Sequence, residues 1–395
     1  MSKSSEILAL LSQCLNCREP YEIKCLNNEC EIRQMVSGTR GATYVYVYDN
    51  GFFVNIKRLP QVKLISIERS GRRTEEIYRV SKELLKNKLI LTFSFGRESG
   101  YSSIHLCVGE QEAVRCCSCE ALERDDELAL KIASMFRPLG GEEDLIKWYL
   151  HIVPRMSKEI LSIVTKSGAK GIFVSGHAER LREALYSPGL SVLMTMALTT
   201  AQGRAKSLAI KISYILELFV IAKIVDALEG TSLTESWTIE FTTNTPLAVV
   251  RSRATGKEYT ILYQSSILPH ILPGFVKDVP KRLIPDIAVF EGRIEGVGWG
   301  ELYKLAEQGV VPKLLVEVKT GLGHLRWEKP DYVVEQVREY KRLLKPKNVA
   351  LVSLKNVDPM LKAQLKTLGV TIFENFADET VQAEFKRYVV KALMM

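Results

Sequence analysis

Leu314-Leu315-Val316-Glu317-Val318-Lys319-Thr320-Gly321 is the stretch on which the reading of this chain turns. Three apolar residues lead into an acid and, two positions later, a lysine, and Gly321 closes the run with a turn signal. Residues two apart on a strand share a face, so Glu317 and Lys319 point the same way while Val318 points to the opposite side. About thirty residues upstream, Ile284-Pro285-Asp286-Ile287-Ala288-Val289-Phe290 reads as a second strand with its acid near the start, a comfortable interval for two strands joined by a loop.

The surrounding pattern is a helix, a meander of strands, then alternating helix and strand. A long helix is expected over 205–228, with strands at 237–243, 258–263, 285–290 and 313–319. A helix at 332–344, a strand at 349–354, a helix at 359–368 and a strand at 370–373 follow. This is the profile of an α/β domain, a mixed sheet covered by helices. Upstream, Tyr44–Tyr48, then Asp49-Asn50-Gly51, then Phe52–Ile56 reads as a β-hairpin with a positive-φ turn. Further strands are expected at 62–67, 89–95 and 103–108. The expected organisation is a β-rich domain over 1–125, a helical middle region over 126–204, and the mixed-sheet domain over 205–395.

Two carboxylates on neighbouring strands with a lysine beside one of them are what metal-assisted phosphodiester hydrolysis needs. Hard cations such as magnesium take carboxylate, carbonyl and water oxygens, and a cation and a lysine together supply an activated water and charge stabilisation on the phosphate. Pro285-Asp286 together with Glu317-Val318-Lys319 resembles the signature of the PD-(D/E)XK nuclease superfamily. The resemblance covers roughly 205–376, and it implies a mixed-sheet nuclease core with a magnesium or manganese ion held by Asp286, Glu317 and the Val318 carbonyl. It also implies that the first helix carries a metal-binding glutamate. Helical phase selects Glu217, which falls on an apolar side with Ser213, Val220 and Ile224, where a carboxylate is costly unless it meets a cation or a donor. An ion pair with Lys206 is the competing explanation. Gln336 and Tyr340, four apart on the following helix, resemble the QxxxY motif of the RecB-like branch and are expected to face substrate or the catalytic lysine. That branch's flanking iron–sulfur cysteines have no counterpart, because the last cysteine of the chain is Cys119.

The chain has 395 residues, 46% hydrophobic and 25% charged, with a formal net charge of +8. The length calls for more than one core, and the basic balance suits a polyanionic partner, which the nuclease resemblance implies is DNA before RNA. Basic residues flank the motifs: Lys277, Lys281 and Arg282 before the first strand, His324, Arg326 and Lys329 after the second, and Arg338, Lys341, Arg342, Lys345 and Lys347 on or after the helix. No GxxxxGK[ST] or GxGxxG phosphate cradle is found, which argues against nucleotide hydrolysis. Residues 1–11 do not read as a targeting segment, and the apolar stretch 208–228 is interrupted by Lys211, Glu217, Lys223 and Asp226, so a cytoplasmic protein without a membrane span is expected. The eight cysteines all precede residue 120. Cys14, Cys17, Cys25 and Cys30 have two readings, a structural four-thiolate zinc site or disulfides, and Cys116, Cys117 and Cys119 read as small residues at a strand end. The competing functions are an RNA-cleaving or ligand-activated nuclease and a non-catalytic nucleic-acid-binding protein on the same scaffold, with the N-terminal regions selecting substrate or building a homo-oligomer.

Overall fold

In the computed structural model, residues 16–17, 23–37, 41–71, 73–96, 102–109, 114–118, 126–136, 143–174, 179–198, 201–239, 246–264, 285–294, 302–321 and 330–394 are described. The protein is mixed α/β and divides into two compact units, Met1–Ile146 with Ser187–Arg204, and Lys147–Tyr186 with Ala205–Met395. The helical stretch expected as a middle region is therefore shared between the two units.

The first unit is built on two antiparallel sheets. One runs in the order β1 (Asn16–Cys17), β10 (Val114–Ser118), β9 (Ser102–Gly109), β8 (Leu89–Gly96), β4 (Gly41–Asp49), β5 (Phe52–Asn55). The other runs β2 (Ile23–Leu26), β3 (Glu29–Ser37), β7 (Arg73–Ser81), β6 (Lys63–Ser70). The expected hairpin is β4–β5, and Asn50 and Gly51 take φ of 49° and 90° at its turn. That is the left-handed region, which asparagine and glycine tolerate and branched residues do not. Ile32, Val45, Val47, Ile56, Tyr78, Val80 and Ile90 form the core between the strands. Helices α1 (Lys82–Leu85), α2 (Asp126–Ala133) and α5 (Pro188–Leu198) complete the unit. The last two meet at Gly189, where a Cβ would stand 2.3 Å from the Asp126 carbonyl oxygen, and Asp126 Oδ1 accepts from the Gly189 amide at 2.9 Å.

Of the four cysteines expected at a zinc site, Cys25 and Cys30 face each other across the β2–β3 turn and are disulfide-bonded. Cys17 lies in β1, and Cys14 is outside the described residues. A disulfide sulfur is not a thiolate ligand, so Cys25 and Cys30 take the disulfide alternative and do not serve as zinc ligands. Cys116 is buried, as expected, but it is also bonded to Cys107 across β9–β10.

The second unit holds a seven-stranded mixed sheet. Its order is β12 (Gly230–Ser232), β14 (Ala248–Ser252), β15 (Glu258–Tyr263), β16 (Ile287–Glu291), β17 (Leu314–Lys319), β18 (Asn348–Ser353), β19 (Thr371–Phe373). Pairs up to β16–β17 are antiparallel, and β17–β18–β19 are parallel. Parallel neighbours need a crossover, which α8 (Pro330–Leu343) and α9 (Pro359–Thr367) supply. Val333, Val337 and Tyr340 of α8 and Leu361 and Leu365 of α9 pack with Ala288, Phe290, Leu315, Val349 and Leu351 of the sheet. The long helix α6 (Ala201–Ala227) joins α10 (Glu379–Met394) through a Phe219–Phe376–Phe385 aromatic chain, with ring centroids 6.0 and 5.2 Å apart. Helices α3 (Glu143–Lys166), α4 (Glu179–Tyr186) and α7 (Leu302–Glu307) also belong to the chain's helical layers. The strand expected at 237–243 is β13 (Trp237–Ile239), which pairs in parallel with β11 (Ile172–Val174) in a separate two-stranded sheet.

Among the described residues no helix is long and apolar enough to cross a membrane. The two cross-strand bonds lead to a direct prediction. In protein denatured without reductant, Cys25, Cys30, Cys107 and Cys116 will resist alkylation, and peptide mapping will recover the Cys25–Cys30 and Cys107–Cys116 links. Four reactive thiols at these positions would contradict the pairing.

Candidate active site

All six residues of β17 are buried, including Glu317 (0% exposed) and Lys319 (7%). A central strand covered on both sides reads as a continuous apolar run, so an acid and a lysine within it need partners. The sheet register supplies them. Ile287 pairs with Val316 and Tyr263 with Ile287, so the next rung brings together Gln264, Asp286 and Glu317. The Gln264 amide donates to the Asp286 carbonyl at 2.9 Å. Asp286 Oδ2 accepts from the Val318 amide at 2.7 Å. The Lys319 ammonium lies 3.6 Å from Asp286 Oδ2 and is hydrogen-bonded to Glu317 Oε1. Gly321, at φ 67°, turns the chain away directly after the pair.

Helix α6 brings Glu217 to the same sheet end. Its Oε1 accepts from Ser213 Oγ at 2.9 Å, and its Oε2 accepts from Tyr263 OH at 2.8 Å and Gln264 Nε2 at 2.6 Å. Lys206, the competing partner, is exposed, and Glu217 is held by neutral donors instead. The lysines on this helix have acids of their own: buried Lys211 stands 3.8 Å from Glu183, and buried Lys223 pairs with Glu159. On α8, Gln336 Nε2 donates to Tyr340 OH at 3.2 Å, and Tyr340 OH donates to Glu317 Oε2 at 3.2 Å. Gln336 Oε1 is buried without a hydrogen-bond partner among the described residues.

Sequence reasoning thus named six side chains that converge here, Glu217, Asp286, Glu317, Lys319, Gln336 and Tyr340. It missed Tyr263 and Gln264, which lie at the end of a strand with no motif of their own. It also missed Tyr332, half-buried on α8, whose phenol pKa is raised by burial and by Glu317. The signal for Tyr332 was its spacing, since Tyr332, Gln336 and Tyr340 recur every four residues along one helical face. The basic residues of α8 do not share that face. Arg342 pairs with Glu339, and Lys341 donates to the Leu368 carbonyl. The other flanking basic residues, in 265–284 and 322–329, lie outside the described residues.

Three carboxyl groups and one ammonium share this end of the sheet, an excess of two negative charges when all are ionised. Burial, together with the neighbouring Asp286 charge, pushes Glu217 up to about 8, against the donors from Tyr263, Gln264 and Ser213. The same two causes push Glu317 up to about 7, against Lys319. Burial also raises Asp286, against Lys319 and the Val318 amide. For Lys319 burial acts to lower the pKa, but the Glu317 and Asp286 carboxylates outweigh it and the ammonium is held charged.

The donor set consists of hard oxygens with surplus negative charge, which suits magnesium or manganese rather than a soft metal. Among the described residues no three acids already stand as a cage for an ion. Lys319 occupies the position between Glu317 and Asp286, so both acids are free for a cation only when the ammonium leaves. No family model, curated protein or solved structure matches the chain.

The raised carboxyls set a pH dependence. An unfolded glutamate releases its proton near 4.5, whereas folded Glu217 keeps it to about 8, so ionising it opposes folding as pH rises through this window. With chelator present, the wild-type melting temperature should fall relative to that of Glu217→Gln between about pH 5 and about pH 8. The gap between the two proteins should widen steadily as pH rises through this window. Saturating magnesium should reduce it. Parallel melting curves across that range would contradict the assigned burial.

Proposed function

We propose that this protein is a divalent-metal-dependent nuclease of the PD-(D/E)XK type, acting on DNA. One observation carries the reading. Glu217 comes from a helix, Glu317 and Lys319 from β17 and Asp286 from the position just before the adjacent strand β16, and they are linked at one end of a mixed sheet through Lys319 and Gln264.

In this reading Asp286 and Glu317 hold the ion with the Val318 carbonyl, and Glu217 completes the set directly or through water. When bound, the ion neutralises phosphate charge and acidifies a water. The protein's contribution is orientation. Tyr340, braced by Gln336, holds Glu317 Oε2, and the Val318 amide holds Asp286 Oδ2, so once Lys319 leaves Glu317 Oε1 each acid has an oxygen to offer a new ligand. Lys319, kept charged by the acids, moves off Glu317 to orient the attacking water and to stabilise the charge developing on the phosphate. The unpartnered Gln336 Oε1 and the half-buried Tyr332 phenol are the groups left to meet substrate. The positive net charge supports a polyanionic substrate.

Labelled single-stranded DNA, duplex DNA and RNA, each with magnesium, manganese or chelator, test the reading. Cleavage should require the metal and favour DNA. Asp286→Ala, Glu317→Ala and Lys319→Ala should each lower the rate by about 100-fold or more, and Glu217→Gln should lower it strongly while the protein stays folded. Near wild-type turnover in any of the three alanine variants, or cleavage undiminished by chelator, would refute the assignment.

A further inference from the structure

The first unit has an exposed sheet edge that its own core does not explain. β6 is the terminal strand of the order β2-β3-β7-β6, and among the described residues its outer edge has no partner strand. On it Leu64, Ile65 and Ile67 are 49%, 40% and 49% exposed. Single apolar residues at a surface need no account. Three within four positions, on an edge with open backbone donors and acceptors, form a template for another strand.

Edge strands are commonly blunted by charges or a bulge, and β6 has both. Here the two devices combine into a self-complementary pattern. The register with β7 shifts between Leu64 and Ser66, leaving Ile65 as the extra residue of a bulge. Lys63, Ser66 and Glu68 stand opposite Arg79, Ile77 and Glu75, and so share one face. Leu64 and Ile67 stand opposite Tyr78 and Glu76, on the other face. Counting Ile65 and Ser66 together as the bulge, β6 presents the same alternation from either end: charge, apolar, bulge, apolar, charge.

Laid antiparallel against a second copy about a two-fold axis at the bulge, β6 sets Lys63 against Glu68, Leu64 against Ile67, and bulge against bulge. Each pairing occurs twice, as an isologous interface requires. Opposite charges and apolar pairs directly across strands are stabilising, and like charges are not.

We propose that β6 is a homodimer edge, through which two copies of the chain join their four-stranded sheets into one of eight strands. This is independent of the nuclease reading. Light scattering on the full chain over a range of concentrations tests it, with circular dichroism as the control for folding. The wild type should shift towards twice the 44.6 kDa chain mass, and Ile67→Lys, at a position exposed in the monomer, should abolish the shift. Lys63→Glu and Glu68→Lys should each abolish it alone and restore it when combined. Within the unit both substitutions face an opposite charge on β7, Arg79 and Glu75 respectively; Glu68→Lys also gives up a solvent-exposed 4.0 Å ion pair with Arg33, and such exposed pairs contribute little. A wild type that stays monomeric throughout, a dimer that survives Ile67→Lys, or a double variant that stays monomeric would overturn the proposal.

Discussion

The Lys319 ammonium, lodged between the Glu317 and Asp286 carboxylates at the buried end of the sheet, is the interaction on which the candidate site of the second unit depends. Removing charges from water is expensive, and an interior pair repays that only with close geometry and further hydrogen bonds. The Val318 amide supplies one to Asp286 and the Tyr340 hydroxyl one to Glu317. Glu217 brings a further carboxyl, held among the described residues by hydrogen bonds from Ser213, Tyr263 and Gln264. A fold selected for stability alone would fill this space with apolar side chains. Keeping three acids and one base here is the sort of local inconsistency that marks functional sites.

How much of this was legible depended on whether the signal was local. The β16 and β17 strands, and the shared orientation of Glu317 and Lys319, follow from period-two geometry within a few residues. Helical phase was enough to single out Glu217 and to set Gln336 and Tyr340 on one face. Tyr263 and Gln264 escaped notice because their role comes from sheet register, which pairs residues distant in sequence. Strand β14 was passed over between Trp237 and Glu258, where the apolar run Ala248-Val249-Val250 is short. Lys211 and Lys223 look solvated in sequence, yet both are buried and reach acids on α4 and α3. A lysine's long apolar stem allows this, and pattern alone does not reveal it.

In the first unit, cysteine spacing alone left zinc and disulfide open, since thiols close in sequence satisfy either. Strand pairing decides for the residues it covers: Cys25 with Cys30 and Cys107 with Cys116 are direct cross-strand neighbours. The β-hairpin was legible because Asn50-Gly51 permits few alternatives to a positive-φ turn. The open edge at β6 was not, because a bulge reveals itself only through the partner strand.

The central claim is that the carboxyls gathered around Lys319 form a cation site. Titration calorimetry with manganese near pH 7, repeated in buffers of different ionisation enthalpy, tests it most directly, because binding to carboxyls that hold protons must release them. The account predicts binding by the wild type with proton release, and loss of both in Glu317→Gln. Manganese binding that releases no protons, or that is unchanged in Glu317→Gln, would contradict it.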